Sequence, residues 1–450
     1  MKRLSSILVA IAVALQGLAG IDGQWTGTLK VPQANLELKL NFNFGTDDNG
    51  AATCTLDSPD QNAFGIPCNS VSISDSSVSV EVSSLRASFT GTPQGDSIAG
   101  TFKQGVASMP LTLRRSISPM KPKERAQTPQ PPFPYTVREV AITNIADGLT
   151  LAGTLTMPEN AKNVPAVVMI TGSGAQNRDE ELFGHRPFAV IADHLTRCGF
   201  AVLRYDDRGT GGSSALSPDV TTADFAQDAL AAVKYLQSVP EINKKKIGVV
   251  GHSEGGQIAI MLAAEHPKDV KFISTLAAPV VKGKDLMITQ NEDMARMRGI
   301  EITADQRKIL EQAFAAIYTV NDTELLKNRL YHIMTDGKSA QEMINVNSQI
   351  MVMTTPWYVN FVRYCAIPHL NAMRQPMLAF YGANDVQVNA TLNAATLNVS
   401  YGGKKLEIEN GLHYNHLFQE CSKPTADYGR IEQTISPKVM QRLLDWLMKR

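Results

Sequence analysis

From Gln24 to about Ser116 apolar and polar residues alternate in short runs, among them WTGTLKV, LELKLNFNF, VSVEVSSL, SIAGTFKQG and LTLRRS. Turn clusters such as DDNG and TPQGD punctuate them. A two-residue period broken by turns predicts half-buried antiparallel strands, so residues 20–116 are expected to form a small all-β domain. Residues 117–135 are proline-rich, charged and poor in apolar side chains, the composition of a semi-stiff linker. Beyond it the pattern changes. REVAITN and LTLAGTLTM suit an opening hairpin, and PAVVMIT, FAVLRYD, KIGVVGHS, KFISTLAA and QPMLAFYG are compact apolar runs. Amphipathic stretches of helical period separate them, notably RPFAVIADHLTRC, TTADFAQDALAAVKYLQS and EGGQIAIMLAAEH. Strands buried on both faces and alternating with helices predict a mostly parallel sheet covered on both sides, spanning residues 136–450.

Between KFISTLAA and QPMLAFYG this rhythm stops. ADQRKILEQAFAAIY sets Ile309, Leu310, Phe314 and Ile317 on one helical stripe, and Met287, Met294 and Met297 recur at helical spacing. A helical insertion over about 281–370 is expected, either as a lid or as extra layers on the core. The methionines are read as packing residues.

Composition adds limits. Lys plus Arg and Asp plus Glu each number 43 in 450 residues, and no basic run with interleaved aromatics occurs. That gives no electrostatic footprint for nucleic acid. The start, MKRLSSILVAIAVALQGLAG, combines two cations, an apolar run from Ile7 to Leu15 and small residues at Gly17 and Ala19. This is the pattern of a signal peptide over residues 1–19, cleaved after Ala19, and it predicts an exported protein, periplasmic or secreted. Gln16 ends the run too early for a membrane anchor, so no stable membrane insertion is expected after cleavage. In an exported chain Cys54 and Cys68, close together in the β region, could form a disulfide. Cys198, Cys365 and Cys421 have no metal-ligand spacing and are expected to be buried.

The chemistry-bearing stretch is GVVGHSEGG. Gly251, His252, Ser253, Glu254 and Gly255 fit G-x-S-x-G where an apolar strand run ends and a helical run begins. That strand, sharp turn and helix form a nucleophile elbow, in which glycines two residues either side of Ser253 let the backbones close and push the serine outward. A serine hydroxyl needs a base, and the base needs an orienting acid, in the order Ser, Asp or Glu, His. Asp385 follows the strand QPMLAFYG, and the loop after KKLEIEN carries both His413 and His416. His252, adjacent to the serine on a tight turn, is read as a bystander. As a metal pair His413 and His416 lack a third ligand, and no metal or cofactor is expected.

The loop after PAVVMIT, GSGAQNRDE, lies where the second half of an oxyanion hole belongs. The backbone N–H groups of Ser173 and Glu254 are the candidate donors, with Gly174 as the fallback. GSGAQN does not complete a dinucleotide fingerprint, since Asn177 stands where glycine is required. Asp206, Asp207 and Arg208 in RYDDRGTGGS are read as an ion-paired loop framework. Taken together, T-G-S-G, Y-D-D-R-G, G-H-S-E-G-G, the G-x-N-D-x-x-V around Asp385, and N-H-L-F make residues 136–450 resemble a serine esterase of the α/β-hydrolase superfamily. The likeness is to secreted or periplasmic bacterial carboxylesterases with an extra N-terminal β domain. The N-H-L-F-Q signature of that group favours His416 as the base, with His413 as the rival in a loop two residues longer than the group's.

The resemblance implies hydrolysis of small-molecule carboxylic esters through an acyl-enzyme, with a Ser-His-Asp triad and no cofactor. A serine peptidase of aminopeptidase or dipeptidyl-peptidase type, or a thioesterase, would use the same triad. The roughly 95-residue β module is too short for the propeller that often grips a peptide. It is read as an accessory module or as a binder of glycan, of the cell envelope or of the partner domain's rim. A non-catalytic binding protein is the remaining class, and the presence of every triad residue type argues against it. Acyl length, leaving group and oligomeric state are not encoded in any pattern found.

Overall fold

A computed structural model describes residues 21–31, 36–47, 50–61, 63–85, 87–104, 107–116, 124–335 and 340–450. The expected signal peptide, residues 1–19, lies outside them. The chain divides into two units, one running to Glu124 and taking in Leu182–Gly184, the other comprising Arg125–Glu181 and His185–Arg450.

The described residues of the first unit form an antiparallel sheet of nine strands: β1 (Gly23–Val31), β2 (Leu36–Thr46), β3 (Ala52–Ser58), β4 (Ala63–Pro67), β5 (Ser70–Ile73), β6 (Val78–Val82), β7 (Ala87–Gln94), β8 (Ser97–Gln104) and β9 (Ala107–Ser116). Their order is β4-β3-β2-β1-β9-β8-β7-β6-β5. Alternation puts Val78, Val80 and Val82 inside and the residues between them outside, the period-2 signature of a sheet with one wet face. The sheet curls, because Phe42 on β2 and Phe89 on β7 have ring centroids 5.2 Å apart although three strands separate them in the ladder. Trp25 and Leu113 are fully enclosed with them. Cys54 and Cys68 are not bridged. Both are free thiols. They lie side by side because β3 pairs with β4, which leads Cys68 to donate its N–H to the Cys54 carbonyl at 3.1 Å. The neighbouring Cys68 thiol, and burial after it, push the Cys54 thiol up.

The second unit begins inside the expected linker. Its first half lies mostly outside the described residues, but from Arg125 onward it is bound to the unit's C-terminal segment. Arg125 is buried, its guanidinium donating to the carbonyls of Gly429 and Ile431, and Gln127 is bonded to Thr434 and Ile435. Prolines stiffen this stretch, yet its polar side chains tie it down.

Eight strands follow: β10 (Tyr135–Asn144), β11 (Leu149–Pro158), β12 (Val164–Ile170), β13 (Ala201–Tyr205), β14 (Ile242–His252), β15 (Ile273–Leu276), β16 (Met377–Gly382) and β17 (Leu406–Leu412). They order as β10-β11-β13-β12-β14-β15-β16-β17. β10, β11 and β13 pair antiparallel, and all the rest parallel. The helices α1 (Pro187–Arg197), α2 (Thr222–Ser238) and α3 (Glu254–Glu265) join the first parallel strands. Every residue of β13, β15 and β16 is buried, which is why these segments read as continuous apolar runs. The chain leaves β12 toward β13 on one side and returns to β14 on the other. The crevice at the carboxyl ends of β12 and β14 is the switch point where open α/β sheets place their ligands. Cys198, expected inside, caps α1 and is exposed, because its helix ends there at the surface.

Among the described residues six helices stand between β15 and β16: α4 (Gly283–Met297), α5 (Ala304–Thr319), α6 (Thr323–Thr335), α7 (Ala340–Met353), α8 (Pro356–Arg363) and α9 (Ile367–Ala372). Part of this insertion has a core of its own, with Phe314 and Ile317 of α5, Leu330 of α6, Ile350 of α7 and Val362 of α8 buried together. Such a separate cluster describes a cap more than a thickened main core. α10 (Ala390–Ser400) and α11 (Pro437–Leu447) complete the unit. Among the described residues no helix is long and apolar enough to cross a membrane.

Candidate active site

β14 is buried from Ile247 onward and delivers Ser253 to the crevice. Ser253 sits at φ 52°, ψ −118°, a conformation an L-residue adopts only under strain, as N-cap of α3. The glycines make the turn possible. A Cβ on Gly251 would come within 2.1 Å of the Gly255 carbonyl oxygen, and one on Gly255 within 2.2 Å of the Ile170 carbonyl oxygen. The serine N–H is held by the Leu276 carbonyl at 2.8 Å, so the strained turn is anchored to β15.

Asp385 and His416 meet. His416 Nδ1 lies 2.7 Å from Asp385 Oδ2, with both side chains almost fully buried. The other oxygen of Asp385 accepts the N–H groups of Gln387 and Val388 at 2.7 and 3.0 Å, which fixes the carboxylate plane. His416 is presented by a short clamp. Asn415 Oδ1 accepts the N–H groups of Leu417 and Gln419, and its Nδ2 donates to Gln419 Oε1 at 2.7 Å. The N-H-L-F-Q stretch thus closes on itself with the histidine projecting. His413 is not brought to the site. It is exposed and borders a different surface recess with Lys438 and Cys421. The strand that leads into this loop ends at Leu412, so His413 leaves before the chain turns inward.

Ser173 and Gly174 are exposed on the loop after β12, and Gly174 takes φ 99°. No acceptor among the described residues takes the backbone N–H of Ser173 or of Glu254. Two unclaimed N–H groups on facing turns form a pair that an oxyanion could occupy. Ser253 Oγ likewise makes no hydrogen bond to a described side chain.

Three features of the site are absent from the sequence reading. Glu254 contributes more than its N–H: its buried carboxylate accepts Thr222 Oγ1 at 2.6 Å and the indole N–H of Trp357, on α8 of the cap, at 3.0 Å. Burial pushes this carboxyl up, against the hydrogen bonds from Thr222, Ser173 and Trp357. His252 is no bystander. Its Nδ1 lies 2.8 Å from Glu180 Oε1 and its Nε2 3.0 Å from the His416 carbonyl oxygen. Glu180 Oε1 also accepts the Gly172 N–H at 2.7 Å. The signal for Glu180 is the R-D-E-E run at residues 178–181, a cluster of charge following the uncharged G-S-G-A-Q-N.

The aspartate-arginine loop is a framework, as its charges suggest. Arg178 grips Asp206 with Nε and Nη2, and Arg208 clasps Asp228 at 2.7 Å through two nitrogens and also reaches Asp147. Asp207 differs, since among the described residues no cation pairs with it. It accepts Thr171 Oγ1 and the Gln176 N–H, tying both sides of the oxyanion loop to β13, and burial pushes its carboxyl up to about 8. Arg208→Ala would strand Asp228, which is 1% exposed, without its cation. The expected loss is about 3–5 kcal/mol in urea unfolding, whereas a surface pair such as Arg430–Asp427 should cost about 1 kcal/mol or less.

The protein family described as serine aminopeptidase, S33, matches residues 186–415, just over half of the chain. The chain belongs to this family. The match contains Ser253 and Asp385, stops one residue short of His416 and omits the oxyanion loop. The hydrolase is also similar to Esterase EstD of Thermotoga maritima, 23% identical over 304 residues covering 66% of each chain. With Esterase FrsA of Yersinia enterocolitica it shares 32% identity over 150 residues, 33% of each chain. It therefore spans less than two thirds of these relatives' length. Among solved structures, Est1E from Butyrivibrio proteoclasticus, with ferulic acid bound, aligns at TM-score 0.43 and 19% identity over 69% of this chain and 98% of that one. Among the described residues no group of three or more His, Cys, Asp or Glu is placed to hold a metal.

Proposed function

We propose that the protein is a serine carboxylesterase that hydrolyses small-molecule carboxylic esters through an acyl-enzyme. The observation that carries this reading is the buried 2.7 Å contact of His416 with Asp385 in the crevice into which the strained elbow turns Ser253. Asp385 holds the imidazole with Nδ1 protonated, leaving Nε2 free to accept a proton. As a substrate seats, Ser253 Oγ is drawn onto Nε2 and attacks the ester carbonyl; hydrogen bonds of this kind often close only in the Michaelis complex. The carbonyl oxygen gains charge between the N–H groups of Ser173 and Glu254. The tetrahedral adduct expels the alcohol, which takes the proton from His416. Water, deprotonated by the same ring, then cleaves the acyl-serine and restores the enzyme.

Relatives named as esterases support the ester over the amide, while the family description keeps aminopeptidase chemistry as the rival. Purified protein should hydrolyse p-nitrophenyl acetate or butyrate with a burst of p-nitrophenol equal to the enzyme concentration, if deacylation is slow, and should leave aminoacyl p-nitroanilides essentially uncut. Turnover of the anilides with none of the esters would overturn the esterase reading in favour of a peptidase.

A further inference from the structure

The His252–Glu180 pair lies directly behind the reacting groups and has no part in the triad. The His252 ring is buried, and its centroid is 4.7 Å from that of His416. Both of its nitrogens face acceptors. Nε2 points at a carbonyl oxygen, which can only accept, so Nε2 carries a proton. Nδ1 points at a carboxylate oxygen that already accepts the Gly172 N–H. Imidazole is the stronger base of the two, so the shared proton resides on Nδ1. A ring protonated at both nitrogens is an imidazolium.

We propose that Glu180 holds His252 as a buried imidazolium, and that this ion pair fixes the Gly172 turn, the elbow and the His416 backbone relative to one another. The carboxylate of Glu180 lies on the far side of the His252 ring from the His416 carbonyl, so the pair is a dipole with its positive end toward the catalytic loop. The groups that face His252 are Glu180 from the oxyanion loop, His416 from the loop after β17 and Asp385 from the end of β16. Glu254, the next acid along the chain, is engaged by Thr222 and Trp357. Burial by itself would push the His252 imidazole down; the Glu180 charge and hydrogen bond, with the His416 carbonyl, outweigh it and raise it. Asp385 then balances the cation when His416 is protonated during turnover.

The pair also joins three segments. Gly172 on the oxyanion loop, His252 on the elbow and the His416 backbone converge on it within hydrogen-bond distance. Glu180 stands at φ 51°, a left-handed conformation uncommon for a glutamate, and its carboxyl is buried. His252 and Glu180 are thus positioning residues. They act through His416 and Gly172, and only the role given to His416 rests on the esterase reading.

The test is 15N NMR of the full-length protein with labelled histidine. At pH 7 one ring, lost in His252→Gln, should show both nitrogens protonated; a singly protonated His252 ring overturns the proposal. If His252→Gln does not fold, Glu180→Gln replaces it, and there His252 should lose its second proton at lower pH than in the parent; an unchanged value overturns the assignment. None of these readings needs turnover, so a protein without esterase activity but with a doubly protonated His252 would refute the proposed function and leave the ion pair standing.

Discussion

Ser253→Ala is expected to lower kcat for p-nitrophenyl ester hydrolysis by about 10⁵–10⁶, with far-UV circular dichroism and the unfolding midpoint close to those of the parent. The size follows from the unit character of a triad: without the oxygen nucleophile, His416 and Asp385 have nothing to activate. What remains should be an acceleration over water of about 10³–10⁴, supplied by the oxyanion donors and by binding. The stability term should be small and can be favourable. Oγ makes no hydrogen bond to a described residue, and alanine at φ 52° meets the same backbone strain as serine. Steady-state kinetics on protein free of contaminating esterase decides the matter. A variant that kept a tenth of its activity would remove Ser253 from the mechanism.

His416→Ala should fall nearly as far as Ser253→Ala, on the order of 10⁵ or more in kcat, while His413→Ala should change kcat less than about threefold. The contrast comes from placement. His416 is buried with Nδ1 on Asp385, and His413 is exposed beside a different recess. Asp385→Asn adds a graded check, since it would hold the imidazole in the wrong tautomer and cost on the order of 10⁴. The converse pattern, an inactive His413→Ala and an active His416→Ala, would require the loop to be rebuilt around a different register.

The two sites of greatest legibility are local. G-H-S-E-G works as a signal because five residues contain both the serine and the two glycines at which an added Cβ would meet backbone 2.1–2.2 Å away. Asp385 is legible because a fully apolar run must be a buried strand, and an acid just past its end must face the crevice. The doubly wound sheet follows from the same runs. The choice between His413 and His416 needs the side-chain clamp of Asn415 and Gln419, whose geometry no periodicity encodes, and the sequence reading leaned there on resemblance.

What stayed hidden depends on distant partners. His252 reads as a bystander from its place beside Ser253, but its partner Glu180 lies 72 residues earlier in an irregular loop. Glu254 looked like a residue valued for its backbone alone, and only the packed cap reveals the Trp357 indole on its carboxylate. The stretch from Arg125 to Pro134 has the composition of a free linker, and hydrogen bonds to residues about 300 positions later hold it to the hydrolase unit. In each case a polar side chain is paired across the fold, where local pattern carries no information.

Mass spectrometry of the protein after a fluorophosphonate tests whether Ser253 is the nucleophile of an acyl transfer. One adduct per chain is expected, carried on Ser253 in the peptide map and absent from both Ser253→Ala and heat-unfolded protein. Stoichiometric labelling of another residue, or an unlabelled protein that still hydrolyses esters, would contradict it.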